Sequence, residues 1–197
     1  AGLEAARRST CCNNLKQIGT GLIAYTYDFG GLLPGPSSQH AAIRFNMLYA
    51  WYGWPEGTVG LGDALRDGYF GSDYQVLYCP SATGTYSWAT ASTAVPIIPI
   101  HGTNTSRVCS YTYYPRYDPK GNTGGYYDTV APPLVKQPLN RGIAADYVGG
   151  YAWHGYVWNK LYPDGRVRTQ ECPQVAQYLA NTYWWRDIWY NVLNPDK

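Results

Sequence analysis

The chain has 197 residues and a formal net charge of +2, a length that suits one domain able to bury a core. Only 14% of residues are charged and Arg7-Arg8 is the one adjacent basic pair, so the clustered cationic footprint that nucleic acid requires is missing. Aromatic residues reach 16%, with 21 Tyr and 8 Trp against 3 Phe; such rings suit an assembly interface or a saccharide-binding face, and equally the filling of a loop-rich β core.

Residues 2–27 read as one amphipathic helix, with Leu15, Ile18, Leu22 and Tyr25 at three- and four-residue spacing. The glycines and prolines of "DFGGLLPGP" end it. Short helices are expected over 41–52 and 61–68. "YQVLYC" (74–79) reads as a strand stopped by Pro80. Residues 81–107, with "VPIIPI" inside, read as a long ordered loop carrying a short edge strand. "CSYTYY" (109–114) and "GIAADY" (142–147) are further strands, separated by a proline-rich loop.

"HGYVWNKLYPDGRV" (154–167) is the most organised stretch. Residues 156–162 alternate at period two, "PDG" turns, and 166–170 return, which is a strong hairpin signal. Pro173 suits the first position of a last helix. Its stripe contains Val175, Tyr178, Leu179, Thr182, Trp185, Trp189 and Val192. The expected class is α+β, in one domain over 1–197 without internal repeats. It divides into the helix (1–27), loops and sheet (28–170) and an aromatic-rich C-terminal helix (171–197).

The common catalytic motifs GxSxG, HExxH, GxxxxGK[ST] and GxGxxG are absent from the sequence. His154 offers a general base or a metal ligand, or a structural hydrogen bond beside aromatics; with no His or Cys near it in sequence, the structural role in the hairpin is preferred. Asp164 and Gly165 have a complete local explanation as turn residues. Asp164 is also a weak calcium candidate, though no DxDxDG run supports it. Asp146 with Asp164 is the one tempting carboxylate pair, and Asp146 with His154 would be the couple of a hydrolase. Among Tyr183, Trp184, Trp185, Trp189 and Tyr190, Trp184 and Trp185 point about 100° apart on a helix, so one is expected to be buried and one exposed. "NTS" (104–106) fits a glycosylation sequon but is expected to be incidental.

The cysteines are Cys11, Cys12, Cys79, Cys109 and Cys172, with no CxxC, which removes the main support for zinc-ribbon and thioredoxin readings. Scattered cysteines and low charge favour an exported, oxidising location. The odd count leaves at least one thiol free or bonded to another chain, and the sequence does not choose among pairings. No run of about 18 apolar residues is present, so the chain as given does not span a membrane.

"EAARRSTCCNNLKQIGTGLIAYTYDFGGLLP" (4–34) resembles the region after the membrane helix in type IV pilin-like and type II secretion pseudopilin-like proteins. The likeness is to the bacterial group with a prepilin-type N-terminal methylation segment, abundant in planctomycetes and their relatives. "LGDALRDGYFGSDYQVLYCPS" (61–81) is similar to that group's middle segment, and "CSYTYY" to its next strand. His154, nine residues and then Asp164-Gly165 resemble its C-terminal His-x9-Asp-Gly signature.

The resemblance implies a long helix packed on an antiparallel sheet, and an exported, self-assembling filament or pseudopilus subunit without enzyme activity or cofactor. It also implies a helix-to-loop disulfide between Cys11 and Cys79, with Cys12 extra; Cys109 and Cys172 are further disulfide candidates. In such proteins a leader, a cleavage site and about 20 apolar residues precede this region, and that segment would make the membrane contact. The expected partners are copies of the chain or other pseudopilins, at the bacterial surface, outside the cell or in the periplasm. Trp184, Trp185, Trp189 and Tyr190 would contact a neighbouring subunit or a ligand. The rivals are a carbohydrate-binding or adhesive surface module on the same scaffold, and a hydrolase using His154 and Asp146.

Overall fold

The computed structural model describes residues 2–35, 47–50, 57–58, 60–72, 74–92, 107–113, 133–137, 139–146 and 154–173. Helix α1 spans Gly2–Asp28. Ala, Leu, Arg, Lys and Gln favour it, and no proline occurs before Pro34. Cys11, Leu15, Ile18, Leu22 and Tyr25 form its buried stripe, the pattern of one helix face. Gly30 adopts a left-handed φ of 63°. This lets the Gly31 N–H reach back to the Thr26 carbonyl at 2.7 Å, which closes the helix in a Schellman-type end.

Two antiparallel sheets follow. The smaller orders β1 (Met47–Ala50) between β2 (Gly57–Thr58) and β3 (Arg107–Val108). The larger runs in the order β4 (Tyr111–Tyr113), β5 (Ala144–Asp146), β6 (Val157–Leu161) and β7 (Val167–Glu171). Helix α1 lies against β5, β6, β7, helix α2 (Leu61–Arg66) and the 3-10 turn Tyr74–Leu77. The architecture is α+β, a long N-terminal helix on an antiparallel sheet. No helix among the described residues is long and apolar enough to cross a membrane.

The hairpin forms as the turn chemistry dictates. Leu161 pairs with Val167 across Tyr162–Arg166. Within that loop Gly165 takes φ 80°, and Asp164 Oδ1 accepts the Arg166 N–H at 3.2 Å. Three local expectations change. Residues 74–77 form a 3-10 turn, not a strand; Tyr78 N–H bonds Gln75 O, while Leu77 O accepts the Ser110 N–H. Met47–Ala50 is a strand inside the expected 41–52 helix, because β2 and β3 flank it. The start of the 81–107 loop coils into the 3-10 turn Gly84–Tyr86 and the short helix α3 (Trp88–Ala91). The "VPIIPI" segment and the C-terminal helix lie outside the described residues, and Glu171, placed in that helix by sequence, ends β7.

The core joins Leu15, Ile18 and Leu22 of α1 to Leu61, Leu77, Tyr111 and Leu161. Two helix glycines permit this close approach. A Cβ at Gly19 would stand 2.7 Å from Leu161 Cδ1; one at Gly21 would stand 2.6 Å from the Tyr69 carbonyl oxygen and 2.7 Å from the Phe70 ring. In an open helix Gly→Ala gains about 1 kcal/mol. At Gly21 the obstacle is backbone, so the clash outweighs that gain. Gly21→Ala is expected to lower the unfolding midpoint in urea, whereas Gly2→Ala, with nothing within 4 Å, leaves it unchanged or slightly raised.

Candidate functional site

Cys11 lies on the buried face of α1, one turn before Leu15. Cys79 follows the 3-10 turn, whose Val76 and Leu77 are buried and whose Tyr78 carbonyl accepts a hydrogen bond from Asn14 Nδ2 at 3.1 Å. His154 stands just before β6, followed by two left-handed residues, Gly155 (φ 63°) and Tyr156 (φ 66°). A positive φ at Tyr156 is uncommon for a bulky residue; the Cys172 N–H donates to its carbonyl at 2.9 Å. Asp146 ends β5, opposite Tyr111 of β4.

These elements bring Cys11, Cys79 and His154 together: one ligand atom from each lies within 4.8 Å of the others. Cys79 Sγ is 3.2 Å from His154 Nε2, and His154 Nδ1 is 2.5 Å from Glu4 Oε1. Cys11 Sγ is 3.0 Å from Asp146 Oδ1 and 3.2 Å from the Tyr111 hydroxyl. Asp146 Oδ2 accepts the Asn159 N–H at 2.7 Å. The Ser81 N–H points at Cys79 Sγ at 3.4 Å, and its hydroxyl donates to Glu4. Cys11, Cys79, Asp146 and His154 are all buried, at 0, 2, 2 and 5% exposure.

The electrostatics follow from this packing. Hydrogen bonding with Cys11 pulls the Cys79 thiol down to about 5; burial opposes the shift and His154 adds to it. Burial, then the hydrogen bond with Cys79 and the charge of Asp146, push Cys11 far above the ordinary thiol range. Burial disfavours a charged His154, but its bonds to Cys79 and Glu4 outweigh burial and raise it to about 9. Burial also lifts Asp146 to about 6, against the hydrogen bonds from Asn159 and Cys11. Glu4 is lowered: burial opposes, and the bonds from His154 and Ser81 prevail. The packing thus favours negative charge on Cys79 and positive charge on His154, and disfavours negative charge on Cys11.

Such a set supports three kinds of chemistry: a thiolate–imidazolium nucleophile oriented by a carboxylate, a dithiol pair, or a sulfur–nitrogen ligand set. The burial of every sulfur and nitrogen involved argues against the first.

The structure departs from the sequence reading at His154. Its ring does not join the Asp164 turn; Glu4 and Cys79 capture both nitrogens. Asp164 instead pairs with Arg166 at 2.7 Å. Asp146 and His154, the couple of the hydrolase reading, both face the thiols but are closed from solvent. Among the described residues none of the five cysteines is in a disulfide. Cys11 and Cys79 are near one another but not bonded, Cys109 Sγ is directed at the Tyr111 carbonyl at 3.3 Å, and Cys172 is buried after β7. Trp184, Trp185, Trp189 and Tyr190 lie outside the described residues.

Glu4 and Tyr111 were not foreseen as partners. Cys79 and His154 are 75 positions apart, and His154 and Glu4 are 150 apart, so no local spacing reveals them.

Residues 1–55 match the profile of a family described as a protein of unknown function (DUF1559). The match takes in α1, including Glu4 and Cys11, and β1. No curated protein matches the chain, and no solved structure matches it.

Asp146 carries a pH signature. Its folded value of about 6 lies above the ordinary 3.8, so between these values the folded state holds the extra proton. Its contribution is present below pH 4 and is lost as pH rises to about 6. In the reduced chain, urea denaturation across this window is expected to show the wild type losing up to about 3 kcal/mol relative to Asp146→Asn as pH rises. Parallel stability profiles for the two proteins would refute the assignment.

Proposed function

We propose that the chain is the globular part of a non-catalytic, pilin-like structural subunit that self-assembles into an extracellular filament or pseudopilus. The observation that carries this reading is the asymmetry of α1. Burial begins at Cys11; before it every described residue is exposed except the half-buried Glu4 and Arg8. These nine residues, at 1.5 Å each, extend about 14 Å. Leu3 is 67% exposed there. A helix docked from Cys11 onward, with most of its N-terminal turns exposed, is the form that lets subunits pack helix on helix.

The family match over residues 1–55 supports the same reading. The burial of His154 and Asp146 supports the absence of catalysis. On this proposal the subunit works at the bacterial surface, outside the cell or in the periplasm. Its partners are copies of itself or other pseudopilins.

The test is electron microscopy of the native protein sheared from cells, with mass spectrometry of its N terminus. Filaments containing this chain, with a processed apolar segment ahead of Glu4, are expected. Dispersed particles alone would overturn the filament role.

A further inference from the structure

We propose that Cys11, Cys79 and His154 form a binding site for a borderline-soft divalent cation of the zinc type, with Asp146 as the adjoining oxygen donor. The three ligands come from α1, from the segment after the 3-10 turn and from the approach to β6, and their ligand atoms lie within 4.8 Å of one another. Tetrahedral zinc, with bonds of about 2.3 Å to sulfur and about 2.0 Å to nitrogen, sets ligand atoms about 3.5–3.8 Å apart. The Cys79 Sγ to His154 Nε2 distance of 3.2 Å needs an opening of a few tenths of an ångström to admit the ion.

The surroundings match those of a ligand set. Glu4 accepts from His154 Nδ1, which fixes the ring and turns Nε2 toward Cys79; metal-bound histidines are held in this way, with the other nitrogen giving up its proton to bond the ion. Cys79 Sγ faces a backbone N–H from Ser81, and Cys11 Sγ faces the Tyr111 hydroxyl, donors suited to sulfurs carrying negative charge. Asp146 Oδ1 is already 3.0 Å from Cys11 Sγ, while its other oxygen is held by Asn159.

Glu4 and Asp146 bracket the site from both sides, and two carboxylates beside two sulfurs favour a dication between them. Two thiolates and an imidazole select a soft or borderline ion; calcium and magnesium, which require oxygen cages, are excluded. The site does not depend on the filament reading: it joins helix, loop and sheet within one chain.

The test uses the full chain, reduced and then freed of excess reductant. Native mass spectrometry after zinc chloride addition is expected to show one tightly held zinc per chain. Cobalt(II) in its place is expected to give the intense visible bands of a tetrahedral site and sulfur-to-metal charge transfer in the near ultraviolet. Cys11→Ser and His154→Ala each lose the zinc and the cobalt spectrum, and Cys109→Ser keeps both. The cobalt spectrum of the wild type keeps the test decisive where a variant fails to fold. An octahedral cobalt spectrum, no stoichiometric zinc, or zinc retained in Cys11→Ser would overturn the proposal. So would protein from its native source that contains no metal and whose mass is two hydrogens low, because a Cys11–Cys79 disulfide would then hold both sulfurs.

Discussion

The docking of one face of α1 against the sheet is the constraint on which the rest of this structure depends. Cys11, Leu15 and Ile18 are fully buried along that face, and the burial of each large side chain contributes about 2 kcal/mol. The approach is close because the helix carries Gly19 and Gly21 where Leu161, the Tyr69 carbonyl and the Phe70 ring come nearest. Glycine in a helix costs about 1 kcal/mol in propensity. The cost is offset here because the small residues let the Leu15–Ile18–Leu22 stripe seat fully. Helix propensity and packing oppose each other at these two positions, and packing wins.

The same docking creates the buried polar cluster. Cys11 shares the stripe with Leu15 and Ile18, so seating the helix also carries a thiol into contact with Asp146 and Tyr111. About two turns earlier, Glu4 reaches His154 from the exposed part of the helix. An apolar seam thus ends in a polar knot at the point where the helix leaves the sheet. A buried polar group adds little net stability, but leaving one unpaired costs about 1–3 kcal/mol. Sliding α1 by a turn would strand Asp146, Cys79 and His154 together. The apolar stripe supplies affinity between helix and sheet, and the cluster supplies register.

Much of this fold was legible in the sequence. The stripe of α1, helix α2, the Asp164-Gly165 turn and strands β4 to β7 all follow from local periodicity and turn chemistry. The failures have a common cause. Residues 74–77 alternate like a strand, yet Leu77 gives its carbonyl to Ser110, a partner 33 positions away. Met47–Ala50 reads as helix, yet β2 and β3 recruit it from both sides. His154 looked solitary because its partners, Cys79 and Glu4, are separated from it by 75 and 150 positions. Strand pairing and side-chain clusters at long separation are tertiary facts, and period-two or period-3.6 patterns carry no signal for them.

The hairpin itself explains why nine residues separate His154 from Asp164-Gly165. Gly155 and Tyr156 form the left-handed kink, Val157–Leu161 form β6, and Tyr162 with Pro163 lead into the turn. The kink aims His154 back at α1 while the strand runs on beneath the helix. Side chains alternate along β6, so Leu161 faces Gly19 only if the strand keeps this length and register. One residue fewer would turn Leu161 away from the helix or draw His154 away from Cys79 and Glu4. Both faces of β6 are occupied, since Trp158 and Lys160 are buried along with Asn159 and Leu161, so a slipped register finds no solvated face to relax onto. The spacing is therefore a length requirement: it holds the imidazole at one end of the strand and the turn at the other, with the helix seated between them.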